Sequence, residues 1–297
     1  MTNVDLHMHS IYSDDGEFTV RELFAKAQAA GLKLISITDH DTAEANYEAE
    51  AIAAEYDMTY IPGIEVSCAY KDIDLHVLGY GIDYRNPKWQ LRYHQIVMDY
   101  NKIFYQIVDL LNAGLGVQLD AEQLISEANG KMVNGEAVCA FLLKNPNNIN
   151  NPLLRPYFPG GERSDMPLVN FYWDFMSQGK FAYVPLQQAT SLAATVKMIK
   201  DSHGFAVLAH PGQNLNGHEE LLPEILAMGV VGMEVYTSYH DADQIAEYAA
   251  KANEFDCLVT YGSDFHGAIK PIINLGGHHG TIEKAAYLAE LKKRALI

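Results

Sequence analysis

Val4-Asp5-Leu6-His7-Met8-His9 reads as a β-strand that ends on two histidines. Residues two apart on a strand point the same way, so His7 and His9 share a face. Two imidazoles offered by one strand can bind one metal ion. On its own an HxH pair is weak evidence of that, and its weight comes from the residues further along the chain.

Outward from this strand, strand and helix signals alternate. Residues 19–30 read as a helix capped by Thr19 and stopped at Gly31. Residues 34–38 read as a second strand, 43–56 as a second helix, and 59–65 and 75–79 as further short strands. After an interruption the alternation resumes with helix 192–201, strand 206–209, helix 219–228, strand 232–236, helix 242–255, strand 258–261 and a helical tail over 282–297. Repeated strand–helix units predict parallel strands wrapped by helices, and barrel-like closure fits as well as an open sheet. The interruption reads as a long amphipathic helix over 89–113, shorter helices over 120–128 and 136–143, and a long Asn-, Pro- and Gly-rich loop over 144–167. The expected organisation is a main α/β domain of residues 1–87 and 181–297 with a helical insert over 88–180.

A chain of 297 residues, 48% of them hydrophobic, accommodates such a domain and insert. No stretch is apolar for long enough to span a bilayer. The residues up to His9 lack the basic-then-apolar order of a signal peptide, so the expectation is a cytoplasmic protein with no membrane partner. Cys68, Cys139 and Cys257 are far apart and form no CxxC pair, which predicts buried thiols rather than disulfides or a thiolate zinc site. The formal net charge of −17 disfavours tight binding to long nucleic acid. Bound metals would dominate their own surroundings, so short nucleotides and small phosphate esters remain possible partners.

The notable polar residues fall at predicted strand ends: His7 and His9, Asp39 and His40, Glu65, His210, and Asp264 with His266. His76 and Glu234 lie within strands. In parallel α/β folds the C-terminal strand ends converge on the active-site face. Each residue has a plain structural alternative: Asp39-His40 as a helix cap, His210-Pro211 as a turn, Glu65 as a satisfied carboxylate. Coincidence does not place His or acid at nearly every strand end, because buried ionisable groups are costly unless paired or metal-bound. Imidazoles mixed with carboxylates, without thiolate, point to manganese, iron or zinc.

Six blocks, in this order, carry a resemblance: Asp5-Leu6-His7-Met8-His9-Ser10, Ser36-Ile37-Thr38-Asp39-His40-Asp41-Thr42, Pro62-Gly63-Ile64-Glu65-Val66-Ser67, Leu75-His76-Val77-Leu78-Gly79-Tyr80-Gly81, Val207-Leu208-Ala209-His210-Pro211 and Gly262-Ser263-Asp264-Phe265-His266-Gly267. As a set they resemble the polymerase-and-histidinol-phosphatase (PHP) family, over both ends of the chain but not the middle. The resemblance implies an α/β fold, a distorted (β/α)7 TIM-like barrel with a helical insert. It also implies three divalent metal ions and no organic cofactor. His7, His9, Glu65 and Asp264 would hold the first ion. Glu65 would bridge to a second held by His76 and His210. Asp14, His40 and His266 would hold the third, with Asp14 preferred over its neighbour Asp15 on the family pattern alone.

Within the family the chain is similar to the stand-alone nucleotide phosphoesterases. Gly179-Lys180-Phe181-Ala182-Tyr183-Val184-Pro185 resembles that branch's GKPAYVP block, with Phe181 replacing Pro. Glu234-Val235-Tyr236 followed by His240 resembles its EVY…H block. One departure stands out. The branch's Arg-Pro-His stretch is here Asn134-Gly135-Glu136, leaving Asn134 at a substrate-binding position, and Arg155 and Arg163 in the long loop are possible replacements.

The expected activity is metal-dependent hydrolysis of nucleotide phosphate monoesters, 5′-AMP or 3′,5′-bisphosphates, by metal-activated hydroxide. Asp264 and Lys180 belong to the catalytic set, Lys180 holding phosphate as a point charge, and His240 is the candidate donor to the leaving oxygen. Glu234 is a supporting residue. Alternatives are a 5′–3′ exonuclease on short oligoribonucleotides, a histidinol-phosphate-type phosphatase, and a non-catalytic metal- and nucleotide-binding module.

Overall fold

The strand that carries the histidine pair is short and parallel-paired. In this computed structural model, which describes every residue except Met1, Gln187, Gln188, Ala189 and Asn216, β1 spans Val4–Asp5. Met1, where the reading of the N-terminus began, lies outside the described residues. Helix α1 (Val20–Ala29) starts on a capping box in which Thr19 and Glu22 each satisfy the other's backbone N–H. Gly31, at φ +79°, turns the chain after it. Then come β2 (Leu34–Ile35), α2 (Ala45–Ile52), β3 (Thr59–Tyr60), β4 (Gly63–Tyr70) and β5 (Ile73–Tyr80). The middle of the chain supplies α3 (Lys88–Leu115), α4 (Ala121–Glu127), α5 (Gly135–Leu143) and α6 (Pro167–Phe171). The rest alternates through α7 (Leu192–Asp201), β6 (Phe205–Leu208), α8 (Pro211–Asn214), α9 (Leu222–Ala227), β7 (Val230–Thr237), α10 (Ala242–Glu254), β8 (Leu258–Gly262) and α11 (Lys284–Lys293).

The fold is mixed α/β, with the described strands in two sheets ordered β1-β2-β3 and β4-β5-β6-β7-β8. The expectation of uniformly parallel strands needs correction. β4 pairs antiparallel with β5, and β5 antiparallel with β6, while the other pairs are parallel. Only Lys71 and Asp72 separate β4 from β5, and a parallel crossover needs a dozen residues or more. No closed barrel ladder runs through the described strands. Isolated parallel bridges, Met8 to Phe265 and His40 to Glu65, join backbone beyond β1 to backbone beyond β8, and backbone beyond β2 to β4.

The chain divides into two compact units. The first comprises Met1–Gln90, Ala189–His266 and Ile273–Ile297, and the second Leu91–Gln188 and Gly267–Ile272. Gly267–Ile272 is a remote addition to the second unit that a linear reading does not contain. The first unit is built on buried Leu, Ile and Val of the strands against α7, α9 and α10, with a further cluster between α1 and α2. The second packs Phe104, Leu111, Val138, Leu142 and Phe171 around one core. Among the described residues no helix is long and apolar enough to cross a membrane.

Buried aspartates brace the strand ends. Asp5 accepts from Ser263 N (2.9 Å), Ser263 Oγ (2.7 Å), Gly276 N (2.7 Å) and His7 N (3.3 Å), tying β1 to the turn after β8. Asp39 accepts from Ser10 N (2.6 Å) and Ser10 Oγ (2.7 Å), and Asp41 from Ser67 N (2.9 Å). Removing such an acceptor leaves buried donors without partners. Asp5→Ala should therefore destabilise the first unit by about 3 kcal/mol. A urea titration would read this as a lower midpoint at unchanged slope, and a midpoint equal to wild type would rule out the bracing role.

Candidate metal centre

Side chains from the segments after β1, β2, β6 and β8, and from within β4 and β5, meet at one place in the first unit. Glu65, on β4, is fully buried at the centre. Its Oε2 lies 3.1 Å from His7 Nε2, 3.2 Å from His9 Nε2 and 3.3 Å from His40 Nδ1. Its Oε1 lies 3.1 Å from both His76 Nδ1 and His210 Nε2. Asp264 Oδ1 is 3.1 Å from Nε2 of both His7 and His9. Three groups have ligand atoms mutually within 4.8 Å: His7, His9, Glu65 and Asp264; His9, Asp15, His40 and His266; and His40, Glu65 and His76.

The acid facing His40 and His266 is Asp15, where the sequence pattern placed Asp14. Asp15 Oδ2 is 3.1 Å from His266 Nε2 and 3.5 Å from His40 Nε2. A tight turn causes this. Ser13 N donates to Ser10 O (3.0 Å), and Gly16 packs so closely on Ser10 that a Cβ there would sit 1.9 Å from its carbonyl oxygen. Ser13 Oγ then donates to Asp15 Oδ1 at 2.6 Å and holds that carboxylate inward.

A second layer fixes the rings. His7 Nδ1 pairs with Glu234 Oε1 at 3.0 Å, and Glu234 Oε2 accepts from His210 N at 3.0 Å. His9 Nδ1 meets Ser13 Oγ at 3.3 Å, and His266 Nδ1 donates to Asp264 O at 2.8 Å. These partners turn Nε2 of all three rings toward the carboxylates, which is how ligand imidazoles are oriented for a metal. The facing atoms test the fit. His9 Nε2, His40 Nδ1, His76 Nδ1 and His266 Nε2 are buried and make no hydrogen bond among the described residues. Each faces a carboxylate oxygen at 3.1–3.3 Å without forming a hydrogen bond, an arrangement rare in folded proteins that divalent cations between the groups would satisfy. The donor set is nitrogen and carboxylate oxygen, and the cysteines are free and buried, which suits manganese, iron or zinc.

Without cations the cluster balances charge with protons. Burial opposes the His7 cation, but Glu234, Glu65 and Asp264 raise its pKa well above the usual imidazole range. Burial likewise opposes the His40 cation, yet Glu65 and Asp15 push its pKa up to about 10. His9, buried beside His266 and His40, is shifted down. Burial works against the charged form of Glu65 and Asp15 too, but the surrounding imidazoles hold both well below the carboxylate range.

The expected substrate contacts are placed differently. Asn134, Arg155, Arg163 and Lys180 all belong to the second unit. The Asn134 side chain caps α5 by accepting from Ala137 N at 2.9 Å. Arg163 is clamped on Asp174 through Nε (2.8 Å) and Nη2 (2.9 Å). Arg155 and Lys180 are exposed. His240 also departs from expectation. It is buried, its Nδ1 donates to Val235 O (2.8 Å) and its Nε2 accepts from Gly212 N (2.9 Å). Both nitrogens are thus engaged, and burial lowers its pKa, so the ring holds the His210-Pro211-Gly212 turn instead of facing a leaving group. Tyr239, which sequence reasoning passed over, donates its hydroxyl to Asp264 Oδ2. An aromatic beside a His carried no motif signal.

The PHP domain model matches residues 5–132. A 3′,5′-nucleoside bisphosphate phosphatase of Chromobacterium violaceum is 31% identical over 90% of this chain and 88% of its own length. The chain belongs to the PHP family. A 5′-3′ exoribonuclease of Haemophilus influenzae is 29% identical over 88% of this PHP chain and 89% of its own. Among solved structures, an amidohydrolase of C. violaceum with bound sulfate and no metal superposes at a TM-score of 0.77, with 26% identity, over 95% of this chain and 92% of that one.

The two neighbouring acids offer a direct test of the third group of side chains. Asp15→Asn should lower the metal content of purified protein, read by elemental analysis, while Asp14→Asn leaves it at the wild-type value. The opposite pattern would return the role to Asp14.

Proposed function

We propose that this PHP protein is a metal-dependent phosphoesterase that hydrolyses phosphate monoesters of nucleotides, 5′-AMP or a 3′,5′-bisphosphate nucleotide, at a centre of three divalent cations. The observation that carries this reading is the convergence of five imidazoles on the buried Glu65 carboxylate, with facing ring nitrogens that form no hydrogen bond. His7, His9, Glu65 and Asp264 would hold one cation, Glu65 with His76 and His210 a second, and Asp15, His40 and His266 a third. Bound cations supply a water of lowered pKa and neutralise phosphate oxygens. In this reading the two sheets together make up the family's distorted barrel around them.

The protein's own groups set the charge and the geometry of the centre. Glu65, Asp15 and Asp264 concentrate negative charge in a chain of net charge −17. Bound cations would offset that charge and favour the approach of a phosphate ester. Glu234 keeps His7 and the His210 backbone in place as phosphate charge shifts, and His240 keeps the His210 turn closed from behind. Of the candidate phosphate contacts in the second unit, Lys180 and Arg155 are exposed, whereas Arg163 is held on Asp174. The bisphosphate phosphatase relative supports a nucleotide monoester. The sulfate in the related C. violaceum structure is a tetrahedral oxyanion of the same shape as phosphate. The exoribonuclease relative favours a second reading on short 5′-phosphorylated RNA, with the net charge weighing against long polymers.

Manganese-loaded protein should release phosphate from 5′-AMP or 3′,5′-bisphosphoadenosine faster than from histidinol phosphate or a short 5′-phosphorylated RNA. His9→Ala should lower that rate by more than about 100-fold, a larger loss than the 10–100-fold typical of outer-shell changes. Faster turnover of the RNA would move the assignment to the exonuclease reading. No release from any ester, with metal verified in the protein, would end the phosphoesterase reading.

A further inference from the structure

We infer that Tyr239 is a positioning residue of the metal centre, one that fixes which Asp264 oxygen faces the cations and braces the ring of His210. The inference rests on the metal-centre reading and adds to it a residue outside the ligand set.

Sheet order brings Tyr239 to its place. β7 lies between β6 and β8, so the turn after β7 stands between His210, which follows β6, and Asp264, which follows β8. That turn is held at several points. Ser238 Oγ donates to Gly277 O at 3.3 Å, and His240 is bonded through both ring nitrogens. Asp241 starts α10 with a capping box shared with Gln244. Half-buried Tyr239 is therefore presented by a fixed turn.

It is aimed at Asp264. The phenol donates to Oδ2, while Oδ1 of the same carboxylate faces Nε2 of His7 and His9 at 3.1 Å each. A carboxylate anchored through one oxygen offers the other in a single orientation, whereas an unanchored one rotates and can offer either or both. The Tyr239 ring also stands edge-on to His210, with centroids 5.7 Å apart and planes at 81°, and His210 Nε2 is the atom beside Glu65 Oε1.

Backbone conformation supplies an independent reason for a brace. Asp264 has φ +58° and His210 has φ +22°. Non-glycine residues seldom adopt such values, and those that do persist where surrounding contacts over-determine them. Tyr239 touches the side chains of both.

Tyr239→Phe removes the hydroxyl and keeps the ring. Calorimetric titration of metal-free protein with Mn(II) should show one class of sites weakened by roughly 10- to 100-fold, the usual effect of losing an outer hydrogen-bond partner of a ligand. Phosphate release by the variant should recover as Mn(II) is raised. Tyr236→Phe is the control, because Tyr236 stacks on Tyr261 at 4.7 Å and touches no ligand in the set, and it should titrate like wild type. Wild-type Mn(II) affinity in Tyr239→Phe would overturn the inference while leaving the metal centre standing. So would a turnover loss that persists at saturating Mn(II) with unchanged affinity, since that would make the phenol a direct participant. If the wild-type protein itself binds no Mn(II), the metal-centre reading falls, and the inference with it.

Discussion

One buried carboxylate organises the first unit. Glu65 is shut off from solvent, and a lone ion in that position carries a large desolvation penalty. Five imidazoles surround it, from the segments after β1, β2 and β6 and from β5. No single strand could supply them, so the site exists only where those strand ends meet. The isolated bridges His40 to Glu65 and Met8 to Phe265 mark where the backbone accomplishes this. Raised proton affinity on His7 and His40 and unbonded nitrogens on His9, His76 and His266 express the same demand for positive charge. Protons meet part of it in the free protein, and divalent cations would meet it more completely.

The acids around this centre divide into two kinds by what they touch. Asp5, Asp39 and Asp41 spend their oxygens on backbone and serine donors and so fix the segments that carry ligands. Glu65, Asp15 and Asp264 turn toward imidazoles. Glu234 spans both roles, with one oxygen on His7 and the other on the His210 backbone. A carboxylate that has given its lone pairs to several N–H and O–H donors is poorly placed to bind a metal. Hydrogen-bond partners therefore separate ligand from strut where residue type does not.

That separation explains what the sequence could and could not disclose. Helix bounds were legible because caps and stops are local: the helix expected over 19–30 is Val20–Ala29, and that over 192–201 is Leu192–Asp201. The histidines after β1, β2 and β6 were legible because strand ends converge in folds of this class, whereas Glu65, expected to end a strand over 59–65, stands near the start of β4, and His76 lies inside β5. The choice between Asp14 and Asp15 was not, because it depends on Gly16 folding back over Ser10. Nor was the engagement of His240, whose two partners, Gly212 and Val235, come from separate segments. The antiparallel pair was not legible either, because the strands expected over 59–65 and 75–79 run on until only Lys71 and Asp72 separate them.

The Asn134-Gly135-Glu136 departure looks less like decay once its local tasks are counted. Asn134 caps α5, Glu136 lies in the helix's first turn where negative charge is favoured, and Gly135 packs so closely on Tyr172 that a Cβ there would meet it at 2.9 Å. Phe181, in place of the usual Pro, similarly fills the space over Gly114, where a Cβ would lie 2.3 Å from its ring. These residues answer to the packing of the second unit, while every side chain in the Glu65 cluster answers to the first. The relatives that are 31% and 29% identical to this chain are named for different activities, a 3′,5′-nucleoside bisphosphate phosphatase and a 5′-3′ exoribonuclease.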